Sequence, residues 1–117
     1  MTEAEMKQRT KQFALRVIKL VNALPRTTAG NTIGRQLVRS GTSVGANYRA
    51  ACRGRSRADF VAKLGIVEEE ADESGFWLEL VIDSGLLSQK LVQPLLKEAQ
   101  EIVAIMVASR KTASSRK

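Results

Sequence analysis

The chain has 117 residues, of which 44% are hydrophobic and 26% charged, and it carries a net charge of +7. This is one domain's worth of ordinary globular composition, which excludes a disordered or fibrous chain. Aromatics at 4%, eight glycines and two prolines exclude an all-β architecture with its many turns, and the absence of histidine removes the commonest general base, every Ser-His-Asp or Cys-His arrangement and most zinc sites.

The N-terminal segment, Met1 to Glu5, is polar. The longest apolar runs, such as Ile102 to Ala108, fall far below the ~20 residues of a membrane-spanning helix. A cytoplasmic protein with no membrane role is therefore expected. The lone Cys52 can form no intrachain disulfide.

A first helix is predicted from about residue 4 to Leu24, ending before Pro25. Phe13, Val17, Leu20 and Leu24, flanked by Ala14, Ile18 and Val21, repeat with a period near 3.6, and Lys7, Lys11, Arg16 and Lys19 lie off that stripe. Residues 26–30 read as a loop. A second helix is predicted over about 32–52, with Ile33, Leu37, Ser40, Val44, Asn47 or Tyr48, and Ala51 along one face. It carries Gly34, Gly41 and Gly45, and each interior glycine costs about 1 kcal/mol relative to alanine. The apolar spacing persists through them, and Gly41 and Gly45 stack on one side. The pattern favours a close helix–helix crossing over a weak helix or loop.

Arg53-Gly54-Arg55 reads as a connector. Ser56 is an N-cap with Asp59 at the third helical position, a shortened capping box, and the third helix extends over about 56–84. Phe60, Leu64, Val67, Ala71, Ser74, Leu78 and Val81 alternate steps of four and three, a heptad seam that packs at shallow angles. Ile66, Glu70, Glu73, Trp77 and Leu80 form an adjoining face, and Gly85 ends the helix. The fourth helix starts at Ser88, or at Pro94 as a first-turn proline, and runs to about residue 110. Its segment Ile102 to Ala108 is apolar on nearly every side, which predicts cover from another subunit. Residues 112–117 read as a basic, flexible tail. The expected fold is all-α: a single antiparallel up-down-up-down four-helix bundle over residues 1–111.

The acidic run Glu68-Glu69-Glu70-Ala71-Asp72-Glu73 invites a metal or acid/base reading. A helix separates it, however, with Glu68, Glu69 and Asp72 on the solvent side and Glu70 and Glu73 on the Trp77 face. A di-metal bundle needs Glu-x-x-His pairs that are absent here, so no metal and no cofactor are expected. Glu73 on a core-facing side needs a partner, which predicts a buried polar network. Arg39 and Asn47 on the second helix are the candidates, giving a structural polar network of Arg39, Asn47 and Glu73. A small-molecule site built on those groups in an interior cavity is the alternative. Arg49, Arg53 and Arg55 near Cys52 would lower its thiol pKa, but without a base or a second cysteine an inert, packed thiol is expected. Nothing in the sequence assembles an enzyme.

Charge is uneven. Residues 1–67 carry 13 Lys and Arg against Glu3, Glu5 and Asp59, a net of +10, and residues 68–117 carry six against nine acids, a net of −3. Arginine forks suit phosphate oxygens, and with only Tyr48 nearby for stacking, binding would follow backbone charge rather than base sequence. Lys7, Lys11, Arg16, Lys19, Arg49, Arg53, Arg55 and Arg57 are the candidate contacts to nucleic acid or an acidic partner.

The stretch Gln36-Leu37-Val38-Arg39-Ser40-Gly41-Thr42-Ser43-Val44-Gly45-Ala46-Asn47-Tyr48-Arg49-Ala50 resembles the second-helix signature of the bacterial four-helix-bundle proteins encoded by intervening sequences in 23S ribosomal RNA genes. Arg55 to Leu64, Glu70 to Ser74 and Leu95 to Ala113 are similar to the third and last helices of that family. The resemblance implies an antiparallel bundle assembled as a ring-shaped homopentamer. It also implies kinship with the accessory variability protein of diversity-generating retroelements, a basic pentamer that binds a reverse transcriptase and nucleic acid. Arg39, Asn47 and Glu73 match polar positions whose role in the family is structural. Gly45 departs from the commoner form, which has proline there.

The functional expectation is a non-catalytic oligomeric binding or scaffold protein that contacts RNA, DNA or a nucleic-acid-handling protein through a basic surface. A protein–protein adaptor with no nucleic-acid role is the rival.

Overall fold

Four helices, α1 (Glu3–Asn22), α2 (Thr28–Cys52), α3 (Arg57–Asp83) and α4 (Gln89–Ser115), make up nearly all of the computed structural model, which describes residues 1–115. Each helix starts where local chemistry can satisfy its free amides. Thr2 and Glu5 close a reciprocal capping box on α1, with the Glu5 amide donating to Thr2 Oγ1 at 3.1 Å and the Thr2 amide to Glu5 Oε1 at 3.2 Å. Thr27 caps α2 by accepting from the Gly30 amide at 3.0 Å. This starts α2 four residues before the expected 32, because the cap is Thr27 and the glycine at position 30 masks the first turn. Ser56 caps α3, accepting from the Asp59 amide at 3.0 Å. The Ser88 carbonyl accepts from Leu91 at 3.1 Å and Val92 at 3.2 Å, so α4 begins there rather than at Pro94, which lies inside the helix.

The other boundaries move little. α1 ends at Asn22, where tighter bonds from Ala23 to the Leu20 carbonyl and from Leu24 to the Val21 carbonyl turn the chain toward Pro25. α4 runs five residues past the expected 110. Thr112 and Ala113 lie beside Phe60, and the Ser114 and Ser115 hydroxyls donate back to the carbonyls of Arg110 and Thr112. The expected flexible tail is therefore helical through Ser115, and residues 116 and 117 lie outside the described residues.

Neighbouring helices run antiparallel, as the order of their facing residues shows. Gly34, Gly41 and Gly45 of α2 face Val21, Val17 and Thr10 of α1 in turn. Ser40 of α2 faces Ser74 of α3, their hydroxyls 2.9 Å apart. On α4, Leu96 lies against Gly75 and Arg110 against Gly65 of α3. α4 returns to α1, where Arg9 meets Glu98. α1 and α3, like α2 and α4, occupy diagonal corners. The result is a rod of 50 × 20 × 19 Å.

Its core follows the predicted stripes. Phe13, Val17, Leu37, Val44, Leu64, Val67, Leu78, Val81, Ile102 and Met106 are completely buried. Gly41 and Gly45 are buried against α1, the close crossing that the spacing favoured, and α2 is unbroken through Gly45. The apolar segment of α4 is better covered than its sequence suggests. Val103 and Ile105 pack against the core, and Ala104 and Ala108 are the residues left outside. The exposed large apolar side chains lie elsewhere: Leu15 and Ile18 on α1, Ile66 and Phe76 on α3, and Leu91 on α4.

Candidate nucleic-acid interface

One end of the rod gathers the start of α1, the end of α2, the 53–56 connector, the start of α3 and the end of α4. The connector is held tightly. The Arg53 amide caps α2 by donating to the Ala50 and Ala51 carbonyls. A β-carbon on Gly54 would stand 3.0 Å from the Ala51 carbonyl oxygen and 3.2 Å from the Phe60 amide, so glycine is what lets the two helix ends approach. Asp59 then ties the turn together: Oδ2 accepts from Lys63 Nζ at 2.9 Å and from the Arg55 amide at 3.2 Å. The Lys63 ammonium and that amide hold the Asp59 carboxyl below its ordinary range.

Asp59 is thus occupied by a lysine and a backbone group. Arg53 and Arg55 project from the connector into solvent, and Arg57 is exposed on the first turn of α3. Beside them a groove of about 580 Å³ runs between α1 and α2. Its floor is made of Ala4, Ala14, Gly45 and Ala46, and Lys7, Lys11 and Arg49 stand on its walls. The small floor follows from the Gly45–Thr10 contact, which draws the two helices together. Lys7, Lys11, Arg49, Arg53 and Arg55 form no salt bridge among the described residues. Lys111 of α4 is exposed at the same end, and the basic composition of the tail was the sequence signal for it.

The eight candidate cations are therefore not one surface. Lys7, Lys11 and Arg49 share the groove, and Arg53, Arg55 and Arg57 share the adjoining end. Arg16 and Lys19 turn to the other flank of α1, where they border Leu20, Ala23, Leu91 and Leu95. Helical rotation separates them: five residues beyond Lys11, Arg16 lies on the α4 side.

The polar network is half as predicted. Arg39 donates to Glu73 and, at 3.1 Å, to Glu70, and Trp77 Nε1 donates to Glu73 at 3.1 Å. The indole donor first, with the Arg39 guanidinium, holds the Glu73 carboxyl below its ordinary range, and Glu73 in turn raises the Arg39 pKa. Asn47 is not a member, because its Nδ2 donates to the Ser43 carbonyl of its own helix at 2.9 Å. With Ser40 level with Ser74, Asn47 lies roughly 10 Å further along the axis, out of reach of Glu73. Nor is the network interior. The Arg39 side chain is 50% exposed, so the cluster marks the seam of α2 and α3 and encloses no cavity.

Two further expectations change. Glu68 is not simply solvated, because it accepts from Arg110 Nε at 3.0 Å and ties α3 to α4. Arg9, which no sequence pattern singles out, forms a two-pronged bond with Glu98 at 2.7 Å on each prong and also reaches Glu101 at 3.6 Å. Glu68 and Arg110 lie 42 residues apart, and Arg9 and Glu98 lie 89 apart, so no local pattern marks them. The arginines beside Cys52 in sequence do not lower its thiol pKa. Its thiol pKa is raised by burial, and Tyr48, Glu3 and Lys7 are its electrostatic neighbours rather than the arginines. Among the described residues, no group of three or more acidic or thiol side chains converges on a point that could hold a metal ion. No helix of the described residues is long and apolar enough to cross a membrane.

Comparison with known proteins places this bundle. A solved protein of unknown function from the S23 ribosomal protein family of Bacteroides thetaiotaomicron is 33% identical, with 95% of this chain and 99% of that one covered and a TM-score of 0.87. No curated protein matches the chain. The sequence model described as 23S rRNA-intervening sequence protein matches residues 2–108, from the Thr2 cap of α1 into the apolar segment of α4. On that match the chain belongs to the 23S rRNA-intervening sequence protein family.

Proposed function

We propose that the protein is a non-catalytic cytoplasmic scaffold that associates with copies of itself, as a pentamer on the family resemblance, and binds RNA through the basic end of the bundle. One observation carries the reading: Arg49, Arg53 and Arg55 stand with Lys7 at one end of the rod, with no salt-bridge partner among the described residues, while Asp59 is bridged by Lys63. Guanidinium groups placed this way suit phosphate oxygens. Of the aromatics at this end Tyr48 is buried and Phe60 packs against the core, so recognition is of backbone charge rather than base sequence. The names of the family and of the solved neighbour both refer to the ribosome or its RNA, which favours RNA as the anion.

Filter binding of a single-stranded RNA across a salt series tests the reading. Affinity falls log-linearly with salt, and replacing Arg53 and Arg55 by alanine lowers the slope by roughly 1.4, about 0.7 for each phosphate no longer neutralised. Absence of binding at low salt, or an affinity indifferent to salt, rules the RNA reading out. Capture of an acidic protein that survives nuclease treatment would then favour the adaptor.

A further inference from the structure

Two exposed apolar faces of this bundle lie away from its Arg53 and Arg55 end. The outward side of α3 carries Ile66 and Phe76, 43% and 52% exposed, among the acids Glu69, Asp72 and Glu79. The outward side of α1 carries Leu15 and Ile18, 49% and 39% exposed, with Lys11, and its groove with α2 adds Val38 and Arg35. Each face mixes apolar side chains with charges of a single sign, and the two signs are opposite. α1 and α3 are diagonal corners, so the faces point away from each other.

We propose that the acidic face of α3 in one copy docks on the basic face of α1 and its α2 groove in a second copy. This rests on the self-association stated above and assigns its interface.

Charge selects the occupant. A two-fold contact of α3 with α3 would bring Glu69 and Asp72 against their own counterparts, and α1 with α1 would do the same for Lys11. Like charges so juxtaposed are penalised, whereas the head-to-tail pairing neutralises both faces. Register supports it as well. Ser40 is level with Ser74, Gly41 with Val17 and Gly45 with Thr10. Counting along the helices from those contacts puts Glu69 level with Lys11, Phe76 with Ile18, and Glu79 with Arg35, each within about one helical turn. Copies standing side by side keep those levels, so acid meets base and Phe76 meets Leu15 and Ile18 without sliding. Such a stack also lines up the Arg53 and Arg55 ends on one rim, where several weak phosphate contacts act together.

The test uses two full-length variants in light scattering. One, E69S/F76S, cancels the acidic face, and the other, K11S/L15S, cancels the basic face. All four positions are on the surface, and circular dichroism confirms folding. The head-to-tail contact predicts that the wild type is an oligomer, that each variant alone is a monomer, and that an equimolar mixture gives a capped dimer of twice the 12.8 kDa chain mass. The mixture joins the one intact face of each variant, so its recovery also shows that both are folded. Variants that keep the wild-type mass, or a mixture that stays monomeric, overturn the interface while leaving self-association standing. If one variant alone assembles fully, a two-fold contact is the answer instead. A wild type that is monomeric at all concentrations overturns self-association itself.

Discussion

A β-carbon added to Gly41 would stand 2.8 Å from both methyl groups of Val17. Val17 is completely buried and β-branched, so it has no free rotamer into which to retreat. Overpacking of this kind costs about 1–3 kcal/mol, more than the ~1 kcal/mol that alanine returns in helix propensity. Gly41→Ala is therefore expected to destabilise the protein by about 1 kcal/mol in urea unfolding. Gly65→Ala is the control: its β-carbon would meet only Arg110 Cδ at 3.8 Å, so the propensity gain should survive. If both substitutions prove equally harmless, the close α1–α2 crossing is not needed for stability.

Trp77 is the chain's one tryptophan, and its indole nitrogen donates to Glu73, so its fluorescence reports on that carboxylate. The Glu73 pKa is depressed below 4.5, first by this indole bond and then by Arg39. For a depressed carboxyl, the stabilisation is present above the unfolded value and disappears as pH falls through the folded one. The emission should therefore shift in acid with a midpoint below 4.5. Arg39→Ala should move that midpoint upward, and Glu73→Gln should abolish it. A midpoint at or above 4.5 in the native protein would contradict the network.

Much of this architecture is legible in the sequence, because stripe, cap and connector are local. Phe13–Val17–Leu20 and Leu64–Val67–Ala71 declare their buried sides by spacing alone, and Ser56 and Gly85 declare helix ends. Relative rotation and axial offset between helices are not local. That is why Asn47 reads as a partner of Glu73 although it lies two turns along the axis, and why Arg16 and Lys19 read with Lys11 although they face α4. Ile102 to Ala108 reads as greasy on every side because composition does not show which positions are alanine-capped and which lie against a neighbour. The basic end is legible as charge, and its separation from Asp59 is not, since that depends on Lys63 closing one turn of α3.

Cys52 is half-buried beside Tyr48, away from the arginines that flank it in sequence. Burial raises its thiol pKa above 9.0, and the hydrogen bond with Tyr48 partly offsets that rise. Alkylation of the native protein is therefore expected to be slow at neutral pH, with a pH–rate midpoint above 9.0. Tyr48→Phe should shift the midpoint further up, because it removes the group that favours the thiolate. A midpoint below the ordinary thiol range would mean that the flanking arginines, and not burial, govern the thiol.

The Arg9–Glu98 fork ties α1 to α4. The Arg9 and Glu98 side chains are 25% and 15% exposed, so water screens the pair only partly. A charged hydrogen bond in such a setting is worth about 1.5–3 kcal/mol, and the residual exposure points to the lower part of that range. A double-mutant cycle of Arg9→Ala and Glu98→Ala in urea should give a coupling of about 1–2 kcal/mol. Arg9→Lys should recover less than half of it, because one ammonium cannot occupy both carboxylate oxygens in the plane of the fork. A coupling within error of zero would mean that the apolar contacts of Leu20 and Leu95 alone hold the α1–α4 seam.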